Sequence, residues 1–142
     1  MTTVTVGKRT YLTNAPWLID QQGTVTPQFL DVSSLVPAEA VAYGISCPLF
    51  RTWADANGNI DVSASIRLPG YTTENYMQIA CVAESGRAAY SNAVEVGGLG
   101  QVIVPVLTVN GARGFYWLIQ GAQSCLNVGV NLTLALHWYE VP

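Results

Sequence analysis

The sequence predicts an all-β fold, an antiparallel, jelly-roll-like β-sandwich of about eight to ten strands. Half of the 142 residues are hydrophobic, but they occur in short runs separated by Gly, Pro, Asn and Asp. These runs are rich in β-branched residues and recur roughly every 8–14 residues, the spacing of short strands joined by turns. No segment sustains the 3.6-residue period of an amphipathic helix. We therefore expect one domain over residues 1–142, in which residues 1–10 form either a strand or an extended N-terminal arm.

The N-terminal part of the chain predicts short strands and loops. Thr2–Val6 alternates β-branched residues and is followed by Gly7, which is typical of a strand end. Tyr11–Ile19 contains Asn14 and Pro16, so it predicts a loop that leads into a short strand.

The next segment predicts the centre of a sheet. Phe29–Val32 reads as a strand, and Pro37 ends any pairing because proline has no backbone N–H. Ala40–Cys47 is apolar at successive positions, which favours a central strand buried on both faces. Asp55–Asn59 contains an Asn-Gly pair, whose residues tolerate a positive φ, and predicts a hairpin turn.

Ile60–Leu68 shows the clearest alternation of apolar and polar residues, as expected of a half-buried strand. The turn pair Asn110-Gly111 separates two of the later strands. The remaining predicted strands are Tyr76–Ala83, Ala88–Val96, Gln101–Val109, Phe115–Gln120 and Val128–Val141.

The charge content argues against several functional classes. Charged residues make up 11% of the chain, against about 25% in average proteins. The net charge is −3 and the basic residues are scattered, so no basic stripe is available for nucleic acid. No apolar run is long enough for a membrane helix, and no signal peptide begins the chain, so we expect synthesis in a cytoplasm and no membrane partner.

The three cysteines, Cys47, Cys81 and Cys125, are far apart in apolar segments. An odd number without close spacing argues against a disulfide framework or a zinc site. We expect three buried free thiols.

Several predicted strands have two apolar faces, and a two-layer sandwich buries only one face of each sheet. Either loops of the same chain cover the second face, or another copy of the chain does. We expect self-association through a sheet face, with a permanent closed assembly such as a trimer. The residues assigned to this contact are Val104, Val106, Leu134, Leu136 and Trp138.

No catalytic constellation is evident, so we expect no enzyme. His137 is the one histidine and would need a nucleophile, Cys125 or a serine, together with an orienting acid. No nucleophile-elbow motif supports that arrangement, and an inward or interface histidine is the simpler interpretation.

Metal and sugar binding are weaker alternatives. Asp55–Asp61 carries oxygen ligands at alternate positions, as calcium loops do, but its glycine is at the fourth position and Ile66 stands at the twelfth. A hairpin tip explains the same residues, so we assign no metal and no cofactor. Trp53, Tyr71 and Tyr76 lie near predicted turns and could stack on sugar rings, although such aromatics more often fill a sandwich edge.

Leu30–Ala38 resembles a segment of β-sandwich domains in bacteriophage virion proteins, in which an Asp-apolar-Ser stretch leads through an apolar-Pro-Ala turn into a long apolar strand. Leu134–Val141 is similar to the final strand of those domains. The resemblance covers about a fifth of the chain, and Glu39 stands where a turn glycine is frequent. It carries over no functional residue.

The resemblance implies a structural, homo-oligomeric and commonly trimeric virion component that contacts major capsid or tail proteins. Because Met1 precedes the domain without a coiled-coil or collagen-like shaft, a capsid decoration protein is favoured. The alternative is a receptor-binding head of a tail fibre that contacts a host surface glycan. Either protein would be assembled in the host cytoplasm and located in the virion.

Overall fold

The computed structural model describes residues 3–12, 17–22, 27–67, 76–89, 94–96, 101–121 and 123–142. Within them the chain forms two antiparallel sheets, which confirms the all-β prediction. The strands are β1 (Thr3–Val6), β2 (Arg9–Leu12), β3 (Trp17–Gln22), β4 (Gln28–Asp31), β5 (Ala42–Thr52), β6 (Ile60–Arg67), β7 (Tyr76–Glu84), β8 (Val94–Val96), β9 (Val102–Pro105), β10 (Leu107–Val109), β11 (Ala112–Gly121) and β12 (Val130–Glu140). One short helix, α1 (Gln123–Val128), lies between the last two strands.

Sheet A is built around the long strands β5 and β12, which pair with each other. The other edge of β12 pairs first with β3 and then with β2. The other edge of β5 pairs with β9 near its start and with β8 near its end. A hairpin joins β1 to β2, so β1 forms one margin of the sheet rather than a free N-terminal arm.

Sheet B is built around β11 and β6. These two strands pair along Val62–Arg67, and β7 pairs with the other edge of β6. β4 and β10 both pair with β11, at opposite edges, since Gly114 faces Asp31 on one side and Leu107 on the other.

The hydrophobic core lies between the two sheets. Tyr43, Ile45 and Phe50 of sheet A belong to one buried cluster with Ile66 and Trp117 of sheet B. The face of sheet A that is turned away from this cluster is called here the outer face of sheet A. Because paired residues of neighbouring strands share a face, the register of the strands identifies the residues on it.

Two predicted turns have different outcomes. Asn110-Gly111 joins β10 to β11 as predicted, and both residues have positive φ angles, of 49° and 83°. Asp55–Asn59 is not a hairpin turn, because the strands that it connects lie in different sheets. The Asp55 carboxylate accepts hydrogen bonds from the backbone N–H groups of Asn57 and Asn59, at 2.8 and 3.1 Å, and shapes the loop as a corner of the sandwich.

Three segments differ from the predicted strand bounds. The central strand continues to Thr52, because Pro48 falls in a register shift of the β5–β12 pair, where proline is tolerated. Gln101–Val109 is divided at Val106 into two strands that belong to different sheets. Within Ala88–Val96, the described strand is Val94–Val96.

Candidate functional site: the outer face of sheet A

Trp138 is the largest described side chain on the outer face, and the chain itself covers it. Its indole lies directly over Gly44, where an added Cβ would be 2.2 Å from two ring atoms. The guanidinium carbon of Arg9 lies 4.0 Å from the ring centroid, in cation–π geometry. The ring Nε1 donates a hydrogen bond to Oε1 of Gln101 at 2.8 Å. These contacts leave 3% of Trp138 exposed.

The location of Trp138 corrects the sequence-based interpretation of the last strand. A register shift between Leu136 and Trp138 makes Leu136 face Ile45 and Trp138 face Gly44. Since Ile45 and Gly44 are adjacent in β5, their partners point to opposite faces. Leu134 and Leu136 therefore belong to the core, and Trp138 belongs to the outer face.

The residues predicted for self-association are accordingly not an available surface. Val104, Leu134, Leu136 and Trp138 are all buried within the single chain, and Val106 is half-buried against the core. The assignment of the first four to a contact between chains is therefore wrong. Their area is covered by sheet B or by the Arg9 and Gln101 side chains.

A different set of apolar residues is exposed on this face. Val4, Tyr11, Trp138, Gly44 and Ile103 are successive register partners across five strands. Val4 is 51% exposed, Tyr11 37% and Ile103 54%.

The neighbouring row adds one more exposed apolar residue. It consists of register partners on the same five strands and includes Val6, which is 65% exposed. The full row is Val6, Arg9, Glu140, Ala42 and Pro105. Four of the five exposed large hydrophobic residues in the described part of the chain thus lie on one face, the fifth being Val41 beside it.

The sequence does not distinguish the inner from the outer face of these strands, because both faces are apolar. In β9, Val104 points to the core, and Ile103 points outward. Alternation alone gives two sets of residues and does not say which set is inside. The separating signal was Gly44, which provides room for an aromatic ring on the outer face.

Two ion pairs lie on the outer face. Arg9 Nε and Glu140 Oε2 are 2.8 Å apart, and this hydrogen bond is the main reason that the pKa of Arg9 is raised. Arg51 of β5 forms the second ion pair, with Glu95 of β8. Both pairs join neighbouring strands, so each of these four charges is matched by a partner in the same chain.

The free edge of β1 borders this face. All four residues of β1 are exposed, and among the described strands β1 pairs with β2 alone. Thr3–Val6 contains no charge and no proline, which are two of the devices that protect sheet edges from pairing with other chains.

His137 lies on the same sheet beside a serine. Its Nε2 is 2.5 Å from Oγ of Ser46, and burial lowers the pKa of the histidine. A neutral imidazole can accept the hydroxyl proton, as in the first step of nucleophilic catalysis. Among the described residues, no carboxylate contacts the other ring nitrogen, Nδ1. The histidine and serine therefore have no orienting acid in the part of the chain that the structure describes. Cys125, the other suggested nucleophile, instead donates a hydrogen bond to the Asn59 carbonyl oxygen.

Asp55 acts as a structural acceptor. Besides its backbone partners, its Oδ2 accepts a hydrogen bond from the Ser124 hydroxyl at 2.8 Å, which ties α1 to the corner loop. The hydrogen bond from Asn59 is the largest cause of the lowered pKa of Asp55, followed by that from Ser124. Both carboxylate oxygens are thus occupied by protein donors. No cluster of His, Cys, Asp or Glu with metal-binding geometry occurs among the described residues.

Of the three aromatic residues proposed for sugar stacking, Trp53 is the one whose side chain is described. Trp53 is half-buried, and its ring is 3.4 Å from the position of a Cβ on Gly129. Tyr71 and the side chain of Tyr76 lie outside the described residues.

Cys47 and Cys125 are buried free thiols as predicted, and Cys81 is exposed on β7, contrary to the prediction. Burial raises the pKa of Cys47 to about 11.

The chain matches no protein-family model, no curated protein and no solved structure. In the part of the chain that the structure describes, no helix has the length and apolar character needed to cross a membrane. The function therefore has to be argued from the surface itself.

Proposed function

We propose that this chain is a non-enzymatic structural protein that assembles with copies of itself through the outer face of sheet A. The observation that carries the proposal is the concentration of Val4, Val6, Tyr11 and Ile103 on one face, each more than a third exposed. Large apolar residues collected on one face are typical of a contact with another protein.

The chemistry of the surrounding surface agrees with assembly. Arg9 and Arg51 are each paired with a glutamate of the same chain, so a second chain can cover these two ion pairs without leaving either arginine unpaired. Charged residues also make up only 11% of the chain, which leaves few groups to keep a separate subunit hydrated.

The resemblance of Leu30–Ala38 and Leu134–Val141 to virion β-sandwich domains extends the proposal to a place in a phage particle. The chain would then be a trimeric capsid decoration protein that contacts a major capsid or tail protein. Genes for such proteins beside the coding gene are the expected finding, and a gene neighbourhood of unrelated metabolic enzymes would contradict this extension.

Size-exclusion chromatography with light scattering tests the assembly. At micromolar concentration the protein should elute with a multiple of its 15.2 kDa chain mass. Ile103→Lys places a charge at the β9 end of the exposed row and should produce monomers. Thr108→Lys is the matched control, since Thr108 is exposed on sheet B, and it should leave the multimer intact. A wild-type monomer would refute the proposal.

A further inference from the structure

The free edge of β1 has a defined hydrogen-bonding pattern, which follows from the turn that joins it to β2. Gly7 and Lys8 form a two-residue turn in which Gly7 has a φ of 62°, as the first position of a type II′ turn requires. Residues that flank such a turn are bonded to each other through their backbones, so Val6 is bonded to Arg9.

Alternate residues of an antiparallel pair exchange backbone hydrogen bonds. Val4 and Val6 therefore direct their N–H and C=O groups toward β2, and Thr3 and Thr5 direct theirs toward the free edge. The side chains agree with this pattern. Oγ1 of Thr5 is 3.0 Å from Oγ1 of Thr10, its register partner, as expected where the side chains of a non-hydrogen-bonded pair approach closely.

We propose that β1 pairs antiparallel with β1 of a second copy, about a two-fold axis that passes beside Val4. In this register Thr3 of each chain is opposite Thr5 of the other, and the outward backbone groups of both threonines form four hydrogen bonds. Centring the axis on Thr5 would form only two such bonds, because Thr3 would then be opposite Gly7, which is in the turn. The proposal rests on the proposed assembly function and adds a second, two-fold contact, which joins chains in pairs and is separate from any three-fold contact of a trimer.

The sequence of β1 suits a partner that is identical to itself. The antiparallel pairing places Val4 beside Val4 and Thr3 beside Thr5, so these three central pairs are each matched in polarity. Lys8 of each chain lies at an opposite end of the junction, and Arg9 is neutralised by Glu140 of its own chain. The pairing therefore brings no like charges together.

The junction also extends the outer face of sheet A without interruption. Val4 and Val4 of the second copy become cross-strand neighbours, so the exposed rows of two chains join into one. Strands β3, β4, β7, β8 and β9 also pair with one neighbour each among the described residues, but they contain Asp20, Asp31, Glu84, Glu95 and Pro105, respectively. The remaining edge strand, β10, has only three residues.

A strand of four residues buries less than the roughly 800 Å² per partner of a standard interface. We therefore expect a weak contact and test it by disulfide trapping. The Cα atoms of a non-hydrogen-bonded antiparallel pair are about 4.5 Å apart, within the range that a disulfide bridges. Val4→Cys, in a Cys81→Ser background that removes the exposed native thiol, should give a covalent dimer on treatment with copper–phenanthroline.

Val6→Cys is the matched control. Val6 is on the same strand and face as Val4 and is more exposed, so random collisions would oxidise it more readily. In the proposed register the two copies of residue 6 are separated by four residues along the strands, about 14 Å. We expect at least a tenfold lower yield of dimer for Val6→Cys than for Val4→Cys. Equal yields, or a higher yield for Val6→Cys, would overturn the proposal.

Thr5→Pro, added to Val4→Cys, removes an N–H that points to the free edge and leaves the bonds to β2 in place. It should abolish the cross-link while the far-ultraviolet circular dichroism stays unchanged. Continued cross-linking in this variant would refute the β1 pairing.

The outcomes also separate this proposal from the proposed function. A multimer by light scattering without the Val4→Cys cross-link would refute the β1 pairing and leave the assembly function supported. A specific Val4→Cys cross-link in a protein that scatters as a monomer would support the pairing and refute the permanent assembly.

Discussion

Gly44→Ala should destabilise the protein because its new methyl group would occupy the space of the Trp138 ring. The added Cβ would be 2.2 Å from ring atoms, where ordinary contact begins at 3.4 Å, so the indole has to move by about 1.2 Å. Overpacking of this kind costs about 1–3 kcal/mol. The movement also breaks the hydrogen bond from Nε1 to Gln101, which adds about 1 kcal/mol.

A gain partly offsets this cost, since alanine is more favourable than glycine inside a strand by about 0.5–1 kcal/mol. The net loss in the free energy of unfolding is therefore about 2 kcal/mol, or roughly 6 °C in Tm for a chain of this size. Urea denaturation followed by circular dichroism measures it directly.

The decisive experiment is a double-mutant cycle with Trp138→Leu, which removes the ring. In that background Gly44→Ala should be neutral or slightly stabilising, so the coupling between the two positions is about 2–3 kcal/mol. Gly114→Ala is the control, because its Cβ would be 1.8 Å from the backbone oxygen of Leu30 and should be equally harmful in both backgrounds. If Gly44→Ala costs the same with and without Trp138, the ring is not the obstacle and the reasoning is refuted.

Three further predictions concern the other described sites. Asp55→Ala should lower the urea concentration at the midpoint of unfolding, because three hydrogen-bond donors lose their acceptor. Asp61→Ala, at an exposed position, is the control and should leave the midpoint unchanged. Equal effects of the two substitutions would contradict the structural role of Asp55. Burial lowers the pKa of His137 below its ordinary 6.5, so the unfolded chain binds a proton first and the free energy of unfolding should fall as pH drops below about 6.5. In urea titrations His137→Gln should remove that part of the pH dependence, and an unchanged profile would contradict it. Under native conditions Cys81 should react with a thiol reagent within seconds, and Cys47 only on unfolding; mass spectrometry identifies the labelled site, and rapid labelling of Cys47 would contradict its burial.

The elements with a strong local signal could be predicted from the sequence. Ile60, Val62, Ala64 and Ile66 are all buried and alternate with polar residues, and this periodicity is enough to define a strand, although Ser65 is buried as well. Asn110-Gly111 has the two residues that a tight hairpin turn requires, and the structure uses them so. In both cases the information lies within a few neighbouring residues.

The remaining features depend on contacts that are distant in sequence. The register shifts of the β5–β12 pair keep Pro48 in the sheet and turn Trp138 to the outer face, and neither effect is visible in a single strand. Asp55 accepts a hydrogen bond from Ser124, which is 69 residues away in the sequence. The spacing of residues 55–61 alone therefore could not show whether Asp55 is a structural hydrogen-bond acceptor or a calcium ligand. For the same reason the exposed Ile103 and the buried Val104 were interchangeable at the level of sequence.

The position of β12 has a consequence for how the protein is made. This strand, residues 130–140, pairs with β2, β3 and β5, which are all translated earlier. Sheet A therefore cannot be completed until residues 130–140 have left the ribosome, whereas β6 and β7 are adjacent in sequence and can pair much sooner. Such distant pairing slows folding. Nascent chains that stop before residue 130 should accordingly expose the apolar edges of β2 and β5 and be recognised by chaperones.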